Sequence, residues 1–248
     1  MLVNSHFTQN LALEAGIPAD RIRILHPGVT LPDLSEAQQQ RSAFRQHHAL
    51  NNIPVMLYVG RITARKGLSV FVENILPNIL QQCPTAQLLV VGDNPSLALL
   101  KQNDERQRVK KALRNNSLED RVKFLGWIDI DNKALNAAYF AADVLIFPVQ
   151  SSPHDNEGFG MVAIEAAAHG LPTVAFAAGG VPDAVANGTS GHLIPAGNNA
   201  AFAQAVIETL SNPAHYRESC RQFAESFSWT VFGSGIRKIC HVVENKKQ

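Results

Sequence analysis

Short apolar runs alternate with longer amphipathic stretches along the chain. The runs are nearly continuous, as in strands covered on both faces, and several end in glycine or proline, where a strand gives way to a loop. They predict strands at residues 21–26, 55–60, 87–92, 121–126, 143–148, 172–177 and 191–195. Apolar positions recur every three or four residues over 68–80, which predicts an amphipathic helix that Pro77 kinks or ends early. Further helices are predicted at 95–116, 132–142, 159–169, 198–210 and 213–226.

The alternation of strands and helices predicts the fold class. Right-handed βαβ units build an α/β, doubly wound, Rossmann-like parallel sheet. Residues 31–52 are polar and weakly patterned, and we interpret them as a joint between a leading piece and the main domain. Ligands of such sheets bind beyond the carboxyl ends of the strands. The loops to search therefore follow Gly60, Gly92, Gly126, Phe147 and Phe176.

Composition narrows the possible partners and the compartment. The 248 residues are 46% hydrophobic and 17% charged, and a formal net charge of +1 gives no case for a nucleic acid or an anionic membrane. No apolar run reaches the ~18 residues that span a bilayer, and the first residues do not resemble a secretory signal. Three widely spaced cysteines form neither a CxxC pair nor a disulfide framework, which favours a cytoplasmic location.

The first candidate loop is GRITARKG, residues 60–67. Gly60 allows a tight turn off the strand, and Arg61 and Lys66 place two cations on the loop. Arginine offers a planar fork of donors for phosphate oxygens, and lysine offers a movable charge. The alternative is a solvated basic loop before a helix. Neither a Walker loop nor GxGxxG is present, so the sequence carries no fingerprint for a nicotinamide dinucleotide.

The second candidate is HDNEGFGMVAIEAAAHG, residues 154–170. A helix is predicted to start near Gly158 or Phe159, and its free N–H groups would bind phosphate. Gly158 and Gly160 would let a ligand approach the backbone closely. Two alternatives remain open for the carboxylates. Glu157 would cap the helix, and Glu165 would form an ion pair with a neighbouring helix.

A ligand with phosphates in the middle and hydroxyl groups at both ends would use all of these groups. The phosphates would take the N–H groups and the two cations, and the carboxylates would accept hydrogen bonds from sugar hydroxyls. A nucleotide sugar, with its base, ribose, diphosphate and sugar, has this chemistry.

Four stretches of the chain resemble one enzyme family, in the family's order. They are YVGRITARKG, VKFLGWIDIDNKALNAAYFAADVLIFP, EGFGMVAIEAAAHGLPTVAF and GGVPDAVANGTSGHLIP. Together they resemble the C-terminal, nucleotide-sugar donor domain of a retaining GT-B-fold glycosyltransferase of the Glu-x7-Glu family, the glycosyl transferases group 1. The resemblance extends from about residue 1 to residue 230.

The resemblance implies a role for each matched residue. Arg61 and Lys66 fall on the pair that binds the diphosphate and stabilises its growing charge as it leaves. Glu157 falls on the carboxylate that contacts the transferred sugar, and Glu165 on the one that holds the ribose. Arg61, Lys66 and Glu157 are thus the expected catalytic residues. With Glu165, the expected substrate-binding residues are Gly60, Ile128, Phe159, Gly160, Met161 and Val162.

The same resemblance divides the chain in two. Residues 1–30 resemble the end of the acceptor domain plus a linker, and residues 31–248 the donor domain with its C-terminal crossing helix. Residues 1–4 are then expected to be a strand without its sheet. The closing helix is expected to have lost its neighbour along an apolar stripe of Phe232, Ile236, Ile239 and Val243. Both features favour association with a second copy or with a separate acceptor-domain chain.

The function implied is retaining transfer of a hexosyl group from a nucleoside diphosphate sugar to an acceptor. No cofactor is expected, and no metal, because the sequence has neither an Asp-x-Asp site nor a histidine cluster. His154 and Asp155, beside Glu157, are the one possible exception. Two other functions remain open. The chain could be a non-catalytic nucleotide-sugar-binding module that acts through a partner chain, or a nucleotide-sugar epimerase.

Overall fold

The computed structural model describes residues 1–93, 105–128, 133–152 and 155–245. The predicted helix at 95–116 and the predicted helix at 132–142 therefore lie partly outside the described residues, as does His154.

The strands form a two-stranded sheet and a six-stranded sheet. Their bounds are β1 Leu2–Val3, β2 Arg23–Ile24, β3 Val55–Val59, β4 Gln87–Val91, β5 Val122–Gly126, β6 Val144–Phe147, β7 Thr173–Phe176 and β8 Gly191–Ile194. The larger sheet is parallel throughout, in the order β5-β4-β3-β6-β7-β8. This is the Rossmann strand order, so the predicted fold class and the seven predicted strands are confirmed. The order reverses between β3 and β6, which makes their carboxyl ends the topological switch point.

The helices surround this sheet on both faces. Their bounds are α1 His6–Glu14, α2 Ala37–His47, α3 Leu68–Asn74, α4 Leu76–Gln82, α5 Glu105–Asn116, α6 Lys133–Ala141, α7 Met161–Ala168, α8 Val181–Ala184, α9 Asn199–Ser211, α10 Arg217–Glu225 and α11 Trp229–Asn245. The stripe over 68–80 breaks at Ile75 into α3 and α4, with Pro77 in the first turn of α4, as predicted.

Side chains of one strand alternate between two buried layers. Val55 and Leu57 of β3 belong to the layer against α2 and α6, whereas Met56 and Tyr58 belong to the larger layer on the opposite face. Because both faces are covered, β3 is apolar at every position, which explains the continuous apolar runs of the sequence.

The interpretation of residues 31–52 as a joint is wrong, because α2 occupies the centre of that segment and packs on α6. The helix is held by arginines rather than by an apolar stripe. Arg45 is buried and donates to the carbonyl oxygens of Asn51 and Ala141. Arg41 donates to the last carbonyl oxygens of α6 and to Asp143. Polar side chains thus attach α2 to the end of α6 and to Asp143.

Residues 1–30, which we call the leading segment, are also more complete than expected. β1 is not a lone strand, because Leu2 and Val3 pair in parallel with Arg23 and Ile24 of β2. A small core of Val3, Ala12 and Ile22 supports this pair.

The closing helix α11 has a neighbour as well. The indole of Trp229 covers Gly28, and the Leu25 side chain lies against Gly235. The expected stripe residues Phe232, Ile236 and Ile239 are half-buried, and the side chain of Val243 lies outside the described residues. The expectation of an unpartnered helix is therefore wrong for the part that can be described. Among the described helices, none combines the length and the apolar character needed to cross a membrane.

Candidate functional site

Two loops meet at the switch point because glycines allow their backbones to touch. Gly60 ends β3 with φ +148°, and its carbonyl oxygen lies only 2.0 Å from where a Cβ on Gly92 would be. A 3₁₀ turn at Ala64–Lys66 follows and closes on Gly67 with φ +71°. A Cβ on Gly67 would lie 1.9 Å from the carbonyl oxygen of Pro148, so the loop after β3 and the loop after β6 are in direct contact.

A cluster of two cations and two carboxylates lies at this contact, and we call Arg65, Lys66, Asp155 and Glu157 the Glu157 cluster. Lys66 Nζ donates to Glu157 Oε2 at 2.7 Å, and Arg65 Nη1 donates to the same oxygen. Arg65 Nε also lies 2.8 Å from Asp155 Oδ1. The side chains of Arg65, Lys66 and Glu157 are only 11%, 11% and 14% exposed, whereas Asp155 is 67% exposed. Glu157 is therefore the carboxylate that neutralises the buried cations.

The charges of the Glu157 cluster depend on one another. Burial raises the pKa of Glu157, but the charges and hydrogen bonds of Lys66 and Arg65 outweigh burial, so this pKa lies below its ordinary value. Burial lowers the pKa of Lys66; Glu157 opposes this effect, and Arg65 and Arg61 add to it. The ammonium group also lies 5.0 Å from the centre of the Phe147 ring.

The structure brings Lys66 and Glu157 together, whereas it places Arg61 at the rim. The Arg61 side chain is exposed, and its carbonyl oxygen accepts the Tyr58 hydroxyl at 2.9 Å. Its charge still acts on Lys66. Arg65 was not identified from the sequence. The signal that could have indicated it is its position between the two predicted cations, but only the 3₁₀ turn directs it towards Glu157.

The helix after this loop begins later than predicted. α7 starts at Met161, because Gly160 takes φ +109° and serves as its N-cap without a side-chain hydrogen bond. Glu157 therefore does not cap the helix, and that alternative is wrong. The buried ring of Phe159 stacks on His26 of the leading segment at 5.4 Å. Gly180 N donates to Glu157 O at 2.7 Å and fixes the backbone before the helix.

Glu165 lies apart from the Glu157 cluster and lines a cavity of about 470 Å³, which we call the Glu165 cavity. The Tyr139 hydroxyl donates to Glu165 Oε2 at 2.8 Å. Burial is the main cause that raises the pKa of Glu165, and Tyr139 and Lys66 act against it. No ion pair of Glu165 is found in the described part of the chain, so the alternative of a structural ion pair gains no support. The cavity is also lined by Gly28, Val29, Thr30, Pro32, Leu135, Asn136, Met161, His169 and Trp229.

Two further contacts fix the walls of the Glu165 cavity. His169 lies between the Glu165 carbonyl oxygen, 2.7 Å from Nδ1, and Asn136 Oδ1, 3.2 Å from Nε2. Burial lowers the pKa of His169 to about 4, so the ring is neutral near pH 7. On the other side, Trp229 Nε1 donates to Thr30 Oγ1 at 3.2 Å. The leading segment and α11 thus complete a cavity whose floor is α6 and α7.

The remaining predicted residues surround the same region. Met161 lines the Glu165 cavity, while Val162 and Ile128 are half-buried against the layer formed by α2 and α6. Within the residues that can be described, no group of three histidine, cysteine, aspartate or glutamate side chains could hold a metal ion. His154 lies outside them, and Asp155 pairs with Arg65.

The fold and the site together define a class. A Rossmann-ordered sheet whose switch point carries buried cations, a helix start and two separate carboxylates is typical of proteins that bind an anionic ligand bearing hydroxyl groups. Comparison with known proteins identifies the family within this class. The sequence model of the family "Glycosyl transferases group 1" matches residues 53–212, and the chain belongs to this family.

Individual relatives agree with this assignment. The chain is 33% identical over 232 residues to D-inositol 3-phosphate glycosyltransferase of Mycolicibacterium smegmatis, covering 92% of this chain and 49% of that protein. It thus spans about half the length of this curated relative. The structure of sucrose-phosphate synthase from Thermosynechococcus elongatus matches with a TM-score of 0.78 at 29% identity, over 99% of this chain and 58% of that one. HepE of Anabaena, solved with UDP-glucose, matches in fold with a TM-score of 0.80 at 24% identity, over 97% and 63% of the chains.

Proposed function

We propose that this chain binds the nucleoside diphosphate sugar in a glycosyltransferase that transfers a hexosyl group with retention of configuration. The observation that carries the proposal is the Glu157 cluster. It joins Lys66 to Glu157 at 2.7 Å, beside the start of α7, at the switch point of the sheet. A cation, free N–H groups and a carboxylate are thereby available to one ligand.

The proposal assigns a role to each part of the site. The diphosphate occupies the start of α7 and takes Lys66 and Arg61 as counterions. Lys66 then exchanges part of its contact with Glu157 for phosphate oxygens, which frees the carboxylate to accept hydrogen bonds from the sugar. Glu165 accepts from the ribose hydroxyls inside the Glu165 cavity, which has the volume for a nucleoside.

The same cations would assist the reaction. As the bond between the anomeric carbon and the diphosphate breaks, negative charge grows on the leaving phosphate. Once the diphosphate is bound, Lys66 and the helix start already contact it, so they would stabilise that charge without further reorganisation. The proposed reaction requires no step through a metal ion or an organic cofactor.

Two parts of the proposal concern the surroundings of the site. The acceptor is bound by residues that lie outside this donor-binding part. The compartment is the cytoplasm, which is supported by three free cysteines at positions 83, 220 and 240.

Calorimetric titration with uridine, guanosine and adenosine diphosphates tests the binding step. We expect one of them to bind, and Arg61→Ala and Lys66→Ala each to weaken it by about 1–3 kcal/mol. Lys110→Ala and Arg114→Ala, two exposed cations on α5, are the matched control for net charge. The proposed phosphate site would be refuted if the control variants lost as much diphosphate affinity as Arg61→Ala and Lys66→Ala, or if no diphosphate bound at all.

Transfer is tested separately, with the donor sugar, an acceptor panel and nuclear magnetic resonance of the anomeric proton of the product. Retention of the donor's configuration supports the proposed mechanism, and inversion contradicts it. Binding without transfer, restored by adding an acceptor-domain polypeptide, would identify a binding module instead. Interconversion of two free nucleotide sugars would identify an epimerase.

A further inference from the structure

Arginine side chains outnumber carboxylates near the amino-terminal end of β6, in the larger sheet. Arg41 of α2 lines one crevice with Arg217 and Arg221 of α10, and it lines a neighbouring cavity with Arg45. In the described part of the chain, Asp143 is the one carboxylate that pairs with any of the four. The four guanidinium groups thus carry more positive charge than the single carboxylate of Asp143 can neutralise.

Arg41 and Arg45 have structural partners. Arg41 Nη2 lies 2.7 Å from Asp143 Oδ1, and its Nη1 donates to three carbonyl oxygens at the end of α6. Arg45 binds the other Asp143 oxygen and further carbonyl oxygens. These two arginines hold α2 in place. Each binds one oxygen of Asp143, and Val55 N donates to Oδ2 as well.

Arg217 and Arg221 differ in that neither forms a hydrogen bond or an ion pair with the residues that the structure describes. Arg221 packs against Gly170, and its Nε is buried without a hydrogen-bond acceptor. A buried donor that lacks an acceptor costs free energy. Partial burial lowers the pKa of Arg217, repulsion from Arg41 and Arg221 lowers it further, and the charge of Asp143 acts in the opposite direction. Among the residues that the structure describes, neither arginine therefore has a carboxylate within ion-pair distance.

The two side chains border a crevice of about 50 Å³ that we call the arginine crevice. The other lining residues that carry polar or charged groups are Arg41, His169, Gln38 and Tyr139. The space suits a tetrahedral oxyanion and is too small for a sugar ring or a base. Guanidinium groups bind phosphate and sulfate with paired N–H donors, which a lone lysine cannot do.

We propose that the arginine crevice is a binding site for a phosphate group, with Arg217 and Arg221 as its ligands and Arg41 as a supporting charge. The site is distinct from the proposed donor site. The rings of Tyr139 and His169 stack at 4.8 Å and form a wall, with the arginine crevice on one side and the Glu165 cavity on the other. The phosphate can be free or can be the monoester of a larger molecule that remains outside.

The test is calorimetric titration of the whole chain with inorganic phosphate at low ionic strength, and with glycerol 3-phosphate in a parallel arm. We expect Arg217→Gln/Arg221→Gln to weaken binding at the arginine crevice by at least about tenfold. Because phosphate can also bind at the start of α7, each titration is repeated in proteins that carry Lys66→Gln. In that background, Arg217→Gln/Arg221→Gln should still lower the phosphate affinity. Binding of both compounds indicates a monoester site open to solvent, and binding of inorganic phosphate alone indicates a closed site; either supports the proposal.

The control for net charge is Arg237→Gln/Lys238→Gln, which removes two exposed cations from α11. It should leave phosphate binding unchanged. If Arg221→Gln does not fold, exposed Arg217→Gln alone should still weaken binding severalfold. Equal phosphate affinity in the wild type and in the arginine variants would overturn the proposal, as would the absence of phosphate binding to the wild type up to about 10 mM.

Discussion

Replacing Glu157 by glutamine should have two opposite effects, a less stable free chain and a tighter complex with nucleoside diphosphate. In the free chain the carboxylate neutralises Lys66 and Arg65, so it supports the fold, and under the proposed function it would also compete with phosphate for the same cations. Removing its charge while keeping its shape separates these two contributions. An ordinary structural ion pair would produce the first effect alone.

The structure gives the size of the stability effect. Lys66 Nζ and Glu157 Oε2 are 2.7 Å apart, and two unit charges at this distance attract by ~6 kcal/mol at an effective dielectric constant of about 20. Most of this attraction replaces hydration that the two side chains lose on burial. We therefore expect Glu157→Gln to lower the free energy of unfolding by about 2–3 kcal/mol. The low pKa of Glu157 means that this contribution is present above the unfolded pKa and is lost as the pH falls through the folded pKa.

The expected gain in affinity is smaller. Lys66 and Arg65 no longer have to leave a carboxylate, so nucleoside diphosphate should bind about tenfold more tightly, which is ~1.4 kcal/mol. The complete nucleotide sugar should gain less, because it loses a contact from its sugar. The affinity for the nucleotide sugar, divided by the affinity for the nucleoside diphosphate, should therefore be lower in Glu157→Gln than in the wild type.

Urea unfolding and calorimetric titration measure the two effects on the same protein. Asp155→Asn is the matched control, since it also removes a carboxylate 2.8 Å from Arg65 but at a position 67% exposed. It should change stability by less than about 1 kcal/mol and affinity by less than about twofold. If Glu157→Gln bound nucleoside diphosphate no more tightly than the wild type, Glu157 would not compete for these cations and the reasoning would fail.

Two other substitutions test the remaining carboxylate and the arginines of α2. Glu165→Gln should raise the free energy of unfolding near neutral pH by about 1 kcal/mol, because it removes a carboxylate that burial disfavours. It should also weaken nucleoside diphosphate binding, because the proposed contact with the ribose hydroxyls loses its charge. Its folded pKa is raised, so wild-type stability should fall as the pH rises from the unfolded towards the folded pKa, and unfolding curves of the variant should lack this fall. Arg45→Met should lower the free energy of unfolding by about 3–5 kcal/mol, because it removes a buried cation that binds Asp143 and several carbonyl oxygens. Because these partners are remote from Lys66, the affinity for diphosphate should stay within about twofold of the wild type. A loss of affinity equal to that of Lys66→Ala would contradict this prediction.

The strands could be predicted from the sequence because their cause is local. Every residue of β3 and β6 faces one of two buried layers, so each strand is an unbroken apolar run. The break at Ile75 was equally local, since Pro77 cannot continue a helix. α2 escaped prediction because its attachment is long-range. Arg45 reaches the carbonyl oxygen of Ala141, 96 residues away, and no pattern within 31–52 indicates such a partner.

The site divides in the same way. The strand ends and the family resemblance were enough to predict Lys66 and the two glutamates as residues of the candidate site. Their partners did not follow, because they depend on backbone geometry. Gly160 takes φ +109° and delays α7, which leaves Glu157 outside the helix and free to reach Lys66. Likewise, Tyr139 meets Glu165 because α6 and α7 are neighbours in space, although 26 residues separate them.

The charges at the site predict the order in which its groups would bind a diphosphate. Within the Glu157 cluster, two cations face two carboxylates, so the cluster is neutral before a ligand arrives. A diphosphate brings a negative charge of about 2 or more, and the cluster has no net charge that would attract it from a distance. Arg61 is exposed on the same loop and forms no ion pair with any residue that the structure describes, and the start of α7 adds partial positive charge. Arg61 and the helix start should therefore attract the diphosphate, and Lys66 should bind it only after leaving Glu157.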